Sequence, residues 1–209
     1  MKKILKRTGK IFCLFLLIVV LVNILSPLFC RKPDETYVES LRKTEFTSET
    51  AGVERICCID DNEEALLWRL RMIGTAKESI VLSTFDLRAD DNGTKILAAL
   101  NCAAARGVKI QLLIDGIYQQ LFLAGSSDFQ ALASYENVEV GVYNPVTPVN
   151  LFKVNYRMHD KYLIVDEKMY LLGGRMLVNI FMNEPSEAAM ASGVQFLRIV
   201  SPFYFLVSC

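Results

Sequence analysis

Residues 11–29 read IFCLFLLIVVLVNILSPLF, a run with no charged side chain. No other feature narrows the fold so much. A helix needs roughly 20 apolar residues to span a bilayer, and this run nearly supplies them. Lys2, Lys3, Lys6, Arg7 and Lys10 precede it, and a basic flank of this kind stays in the cytoplasm. Residues 1–30 are therefore expected to be a transmembrane anchor, single-pass in the cell membrane, with the remainder extracytoplasmic. Arg31 and Lys32 weaken the charge asymmetry without reversing it. A cleaved signal peptide is the competing reading. No small-x-small cleavage site is present, and Phe29 before Cys30 is too bulky for lipoprotein processing. Residues 31–55 are polar, mixed in charge and interrupted by Pro33, which suits a linker or an irregular helix.

Residues 56–209 are long enough for one globular domain, and the 52% apolar composition is ample for a core. Lys+Arg and Asp+Glu both number 23, so the basic excess of a nucleic-acid binder is missing and no such partner is expected. The six cysteines include no C-x-x-C, and the lone histidine cannot complete a His-rich metal site. No metal or cofactor is expected.

Within the domain, Glu63-Glu64 and then Leu66, Leu67, Leu70 and Ile73 predict a helix over 62–76. SIVLSTF (79–85) is a strand. Asp90, Asp91 and Asn92 open a helix over 92–106, which Gly107 stops. VKIQLLID (108–115) is a second strand, 126–134 a short helix and VEVGVY (138–143) a third strand. Pro145 and Pro148 mark a loop. RMHDKYLIVD (157–166) and MYLLGG then form two strands joined at Glu167-Lys168. This alternation predicts an α/β domain whose mostly parallel or mixed sheet is flanked by helices. Trp68, Phe122, Phe129 and Tyr143 are expected in the core. Asp86 fits the rim of a site or a helix entry, and Asp115-Gly116 fits a turn.

The stretch 157–166 carries the chemistry. Alternation along a strand puts His159 and Lys161 on one face and leaves Asp166 at the turn with the opposite parity. An imidazole nitrogen can attack phosphorus and leave again, splitting one displacement into two. A neighbouring ammonium can hold the phosphate oxygens. A surface histidine beside a chance lysine is the plainer reading of that fragment alone.

The longer pattern HDKYLIVD fits H-x-K-x-x-x-x-D, with Gly173-Gly174 beyond it. Together with SIVLSTFDLRADDNGTKILAALNCAAARGVKIQLLIDG upstream, it resembles the phospholipase D superfamily, specifically cardiolipin-synthase-like bacterial members, over roughly residues 55–185. The resemblance implies that His159 becomes phosphohistidine or acts as acid and base. It makes Lys161 the phosphate-binding lysine and Asp166 the motif aspartate, whose parity suits a structural part. Gly173 and Gly174 then let the backbone pass close to the phosphate.

Three departures stand out. Met176 occupies the position where the family usually places Asn. The family's downstream carboxylate has only Glu184 and Glu187 as candidates, and Gln195 and Phe196 stand where polar or acidic residues are expected. Finally, the family's site uses two such motifs, and one histidine cannot fill both. The expectation is the first half of a longer protein, truncated at its C-terminus, or else a homodimer. The partners implied are a phospholipid substrate, the membrane and a second phospholipase D half. A nuclease-type phosphodiesterase and an inactive membrane-tethered fragment are the alternatives.

Overall fold

The computed structural model describes residues 2–29, 34–43, 55–179 and 195–199. Two compact units emerge, Met1–Gly52 with Val146–Tyr156, and Val53–Pro145 with Arg157–Cys209.

In the first unit, α1 spans Lys2–Leu25 and a 3-10 turn follows at Ser26–Phe29. Among the described residues, Lys6–Leu25 is the one helix long and apolar enough to cross a membrane. Helix α2, Glu35–Lys43, lies in the expected linker. It starts with Glu35 and ends with Arg42 and Lys43, the charge order that opposes the helix dipole. The loop Val146–Tyr156 also belongs to this unit and contains a 3-10 turn at Leu151–Lys153.

The second unit begins with β1, Arg55–Ile59, a strand at the boundary between the expected linker and the domain. Helix α3, Asn62–Thr75, starts where Asp61 Oδ1 accepts from Glu64 N at 2.8 Å. After β2, Ser79–Thr84, the Asp90 side chain caps α4, Asp91–Ala105, by accepting from Gly93 N at 2.9 Å. These caps satisfy backbone donors that a helix start leaves free. Gly107, at φ 88, lets the chain turn into β3, Lys109–Asp115. A short helix α5, Gly116–Tyr118, then runs into a π-helical turn at Gln119–Leu123, where only a turn was expected. Helix α6, Ser127–Ala133, and β4, Val138–Tyr143, follow. Strands β5, Lys161–Val165, and β6, Met169–Leu172, form a hairpin, and β7 spans Gln195–Ile199.

The sheet order is β1-β7-β6-β5-β2-β3-β4. The pairs β2–β3 and β3–β4 are parallel, and β2–β5, β5–β6, β6–β7 and β1–β7 are antiparallel. The sheet is therefore mixed, with its parallel part confined to the β2-β3-β4 side. Ile80, Leu82, Ile110, Leu112, Ile114, Leu163 and Val165 point alternately to one face. There they join Leu66, Ile73, Ile96, Leu97, Leu100, Phe129 and Leu132 of α3, α4 and α6 in one buried cluster. On the other face Val81, Leu113, Tyr162 and Ile164 keep partial exposure.

Four expectations are corrected here. The strand expected over 157–166 is hydrogen-bonded only from Lys161, because its partner β2 ends at Thr84, opposite Lys161. Arg157–Asp160 precede it as irregular backbone. Phe122 and Tyr143 are not core: they are 39% and 42% exposed. Phe129 is buried, and Trp68 packs half-buried against the core. Asp115 is fully buried, and its carboxylate does far more than close a turn.

Candidate active site

The site lies where β5 begins and β2 ends. Phe85 follows β2 directly, and two motif side chains pack against its ring. The His159 ring packs edge-on against Phe85 with centroids 4.8 Å apart. The Lys161 ammonium nitrogen lies 5.5 Å from the centroid of the same ring and donates to the His159 carbonyl at 2.7 Å. His159 is exposed and Lys161 half-buried. Burial pulls the Lys161 ammonium below its ordinary value, and Asp160 partly opposes that. The arrangement offers an accessible imidazole next to a cation, the pair needed to receive a phosphodiester.

His159 has no strand ladder to hold it, so other groups must fix its backbone. Asp115, at the end of β3, supplies them. Arg157 Nη1 donates to Asp115 Oδ1 at 3.0 Å, and Met158 N donates to Asp115 Oδ2 at 3.2 Å. Ile117 N also donates to Asp115 Oδ1, at 3.0 Å. Arg157 reaches further, to the Asn144 carbonyl at 2.6 Å. One buried carboxylate thus pins both residues before His159. Met158 is itself buried against Ser83 Oγ, 3.5 Å from its sulfur. Gly116 permits the close approach: a Cβ there would fall 2.4 Å from Pro145 Cα.

Asp166 sits at the far end of β5 from His159. Its φ is 52, and its carboxylate accepts from Lys77 N, Glu78 N and Ser79 N at 2.8–3.2 Å. Burial raises its carboxyl, but the Ser79, Glu78 and Lys77 amides and Lys168 outweigh that and hold it below the usual value. This aspartate ties the β5–β6 turn to the entry of β2. Gly173 N donates to the Lys161 carbonyl at 3.3 Å, and Gly174 follows it out of β6. His159, Lys161 and Gly173 are thus brought together, whereas Asp166 is held apart.

A cavity of about 460 Å³ lies beside the aromatic cluster, lined by Asp86, Arg88, Asp90, Tyr118, Met176, Val178 and Asn179. Tyr118 packs at a tilt against Phe85 with centroids 4.5 Å apart. Asp86 is buried and takes a two-pronged ion pair from Arg88, 2.7–3.0 Å. Burial pushes the Asp86 carboxyl up against the pull of that guanidinium. The Arg88 guanidinium also lies 4.2 Å from the Phe122 ring centroid, a cation–π contact. Met176 is part of this lining. Asn179 is spent elsewhere: its backbone donates to Asp90 Oδ2 and its Oδ1 accepts from Asn92 N. Glu184, Glu187 and Cys209 lie outside the described residues, and Gln195 and Phe196 fall in β7.

Asp115, Arg157 and Phe85 are the positioning residues that the sequence reading missed. Their roles depend on contacts across the sheet. The one local signal was an aspartate followed by glycine at the end of a strand.

Known proteins place this geometry. Residues 70–176 match the family model described as cardiolipin synthase, PLD-like domain. Cardiolipin synthase B of Escherichia coli K12 is 32% identical over 126 residues, which cover 57% of this chain and 29% of that protein. An uncharacterized protein of Helicobacter pylori is 31% identical over 140 residues, covering 60% of this chain and 27% of its own length. The chain thus spans less than a third of the curated relatives it matches. Among solved structures, the phosphatidylserine synthase of Haemophilus influenzae superposes with a TM-score of 0.51 at 18% identity, over 69% of this chain and 33% of that one. That likeness supports the fold. With His159 and Lys161 both against Phe85 and the family model covering half of the sequence, the chain belongs to the cardiolipin-synthase type of phospholipase D-like family.

Proposed function

We propose that this chain supplies one half of a membrane-anchored phospholipase D-type phosphotransferase acting on phospholipid. A His159 ring nitrogen attacks phosphorus, and the bond from phosphorus to the head-group oxygen breaks. The departing alkoxide takes a proton from a general acid on a second half, contributed by a longer chain or by another copy. Water or an alcohol then attacks phosphorus, yields its proton to that same group and releases the imidazole. Lys161 holds the phosphate oxygens throughout, and Asp115 with Arg157 keeps His159 aimed. The observation that carries this reading is that the His159 ring and the Lys161 ammonium both pack against the Phe85 ring. The helix Lys6–Leu25 supports a lipid substrate, since it would hold the domain at a bilayer.

General acid help is worth about 10²–10⁴ in rate, so a natural head group tests the second half as well as this one. A phosphatidyl ester of p-nitrophenol removes that requirement, because its leaving group departs without a proton. With this ester in vesicles, the full chain should release p-nitrophenolate and carry a phosphatidyl adduct on the His159 peptide. His159→Asn should do neither. Absence of both from the unaltered chain overturns the reading, and cleavage of single-stranded DNA in place of the ester would favour a nuclease.

A further inference from the structure

We infer that the loop Val146–Tyr156 inserts into the lipid layer alongside α1, as a second membrane contact besides the helix itself. The inference rests on the anchored reading above. Its ground is a set of contacts within one compact unit. Asn23 lies on a helix that is otherwise apolar from Ile11 to Leu25. Its amide nitrogen donates to the Leu151 carbonyl at 3.1 Å as well as to Val19 O at 2.9 Å. Asn155 Nδ2 donates in return to the Asn23 carbonyl. Two turns earlier on the same helix face, Phe15 packs edge-on against Phe152 with centroids 6.5 Å apart. The loop is therefore fastened to the helix at two levels.

An environment follows from this fastening. Polar side chains within a membrane helix favour partners inside the protein, and the loop provides one for the Asn23 amide nitrogen. Whatever surrounds α1 from Phe15 to Asn23 also surrounds the loop. The loop is built for that medium. Val149 is 86% exposed, and Phe152 and Tyr156 are also exposed. Bonds from Asn150 N to Thr147 O, Lys153 N to Asn150 O and Tyr156 N to Lys153 O pair three of its backbone N–H groups within the loop. The stretch contains no acidic residue, and Lys153 is its one charge. A lysine stem can lie in the apolar layer with its ammonium at the head groups, and tyrosine favours the same boundary. Arg157, Met158 and His159 come next in the chain.

Trp68 is the only tryptophan, which makes a fluorescence test direct. In a Trp68→Phe background, Val149→Trp reports on the loop and Leu17→Trp on the helix. Each full-length chain is reconstituted in phosphatidylglycerol–phosphatidylcholine vesicles with and without brominated acyl chains. Circular dichroism melting of each variant checks that the fold is kept. The expected result is blue-shifted emission from both positions and loss of that emission in brominated vesicles. Quenching at Leu17→Trp with unquenched, water-like emission at Val149→Trp overturns the loop's insertion and leaves the anchor standing. Unquenched emission at both positions overturns the anchored reading together with the inference.

Discussion

Asp115→Ala tests the strut beneath His159. The carboxylate is completely buried, and its partner Arg157 is 16% exposed at the side chain. Removing one member of such a pair leaves an uncompensated charge in a poorly hydrated place, at a cost of about 3–5 kcal/mol. Met158 N and Ile117 N lose their acceptor in the same step. At about 2–4 °C per kcal/mol for a domain of this size, the melting temperature should fall by about 6–20 °C. Thermal unfolding followed by circular dichroism in detergent measures this. Release of p-nitrophenolate should fall further than the loss of folded protein explains, because the segment before His159 is no longer pinned. The companion variant Asp115→Leu with Arg157→Met replaces the pair by apolar side chains. It should recover most of the lost melting temperature but little of the activity. A melting temperature for Asp115→Ala within about 2 °C of the parent, or a companion that melts lower than the single variant, refutes the reasoning.

Three further outcomes follow from the site and its supports. Asp166→Asn tests the turn clamp. The carboxylate is held below the ordinary 3.8, so its contribution is present above that value and lost as pH falls through the depressed one. Urea midpoints should therefore separate parent and variant at neutral pH and converge in strong acid; a gap that persists at low pH refutes the assignment. The group is only part-buried, so solvent screening keeps the effect modest. Gly116→Ala drives a methyl against Pro145 and the Tyr143 carbonyl, and overpacking of this kind costs about 1–3 kcal/mol; an unchanged melting temperature would contradict the close approach. Met176→Asn restores the polar group that the family usually carries at this position. A phosphate donor there should speed formation of the His159 adduct by up to about 10²-fold, measured by quenched-flow mass spectrometry, and an unchanged rate removes Met176 from the phosphate site.

What the sequence revealed was mostly local. Helices α3 and α4 were legible because acidic caps and apolar spacing lie within each segment, and β2, β3 and β4 because β-branched runs end at turn residues. Strand β1 was not, since its pairing is with β7, Arg55 against Ile199, and nothing near RICCI announces that. The start of β5 was misplaced for a related reason. Its length is set by where β2 stops, not by its own residues. Asp115 looked like a turn because the groups it binds, Arg157 and Met158, come much later in the chain. Phe122 and Tyr143 looked like core because aromatic side chains usually are, but the π-helical turn and the end of β4 leave them facing outward. The closeness of His159 and Lys161 was expected from residue type and spacing, and the Phe85 ring that both touch was not.

Pairing of β2 with β5 has a consequence for how the molecule is made. Residues 85–160 separate the two strands, so a nascent chain can assemble β2, β3 and β4 with their helices well before β5 leaves the ribosome. Throughout that interval β2 offers an open edge with Ile80 and Leu82 beside it, the kind of edge that recruits other chains into aggregates. The strand that carries Lys161 is also the one that seals this edge. Lesions at the base of β5 should therefore surface in cells as insoluble protein before they surface as slow turnover.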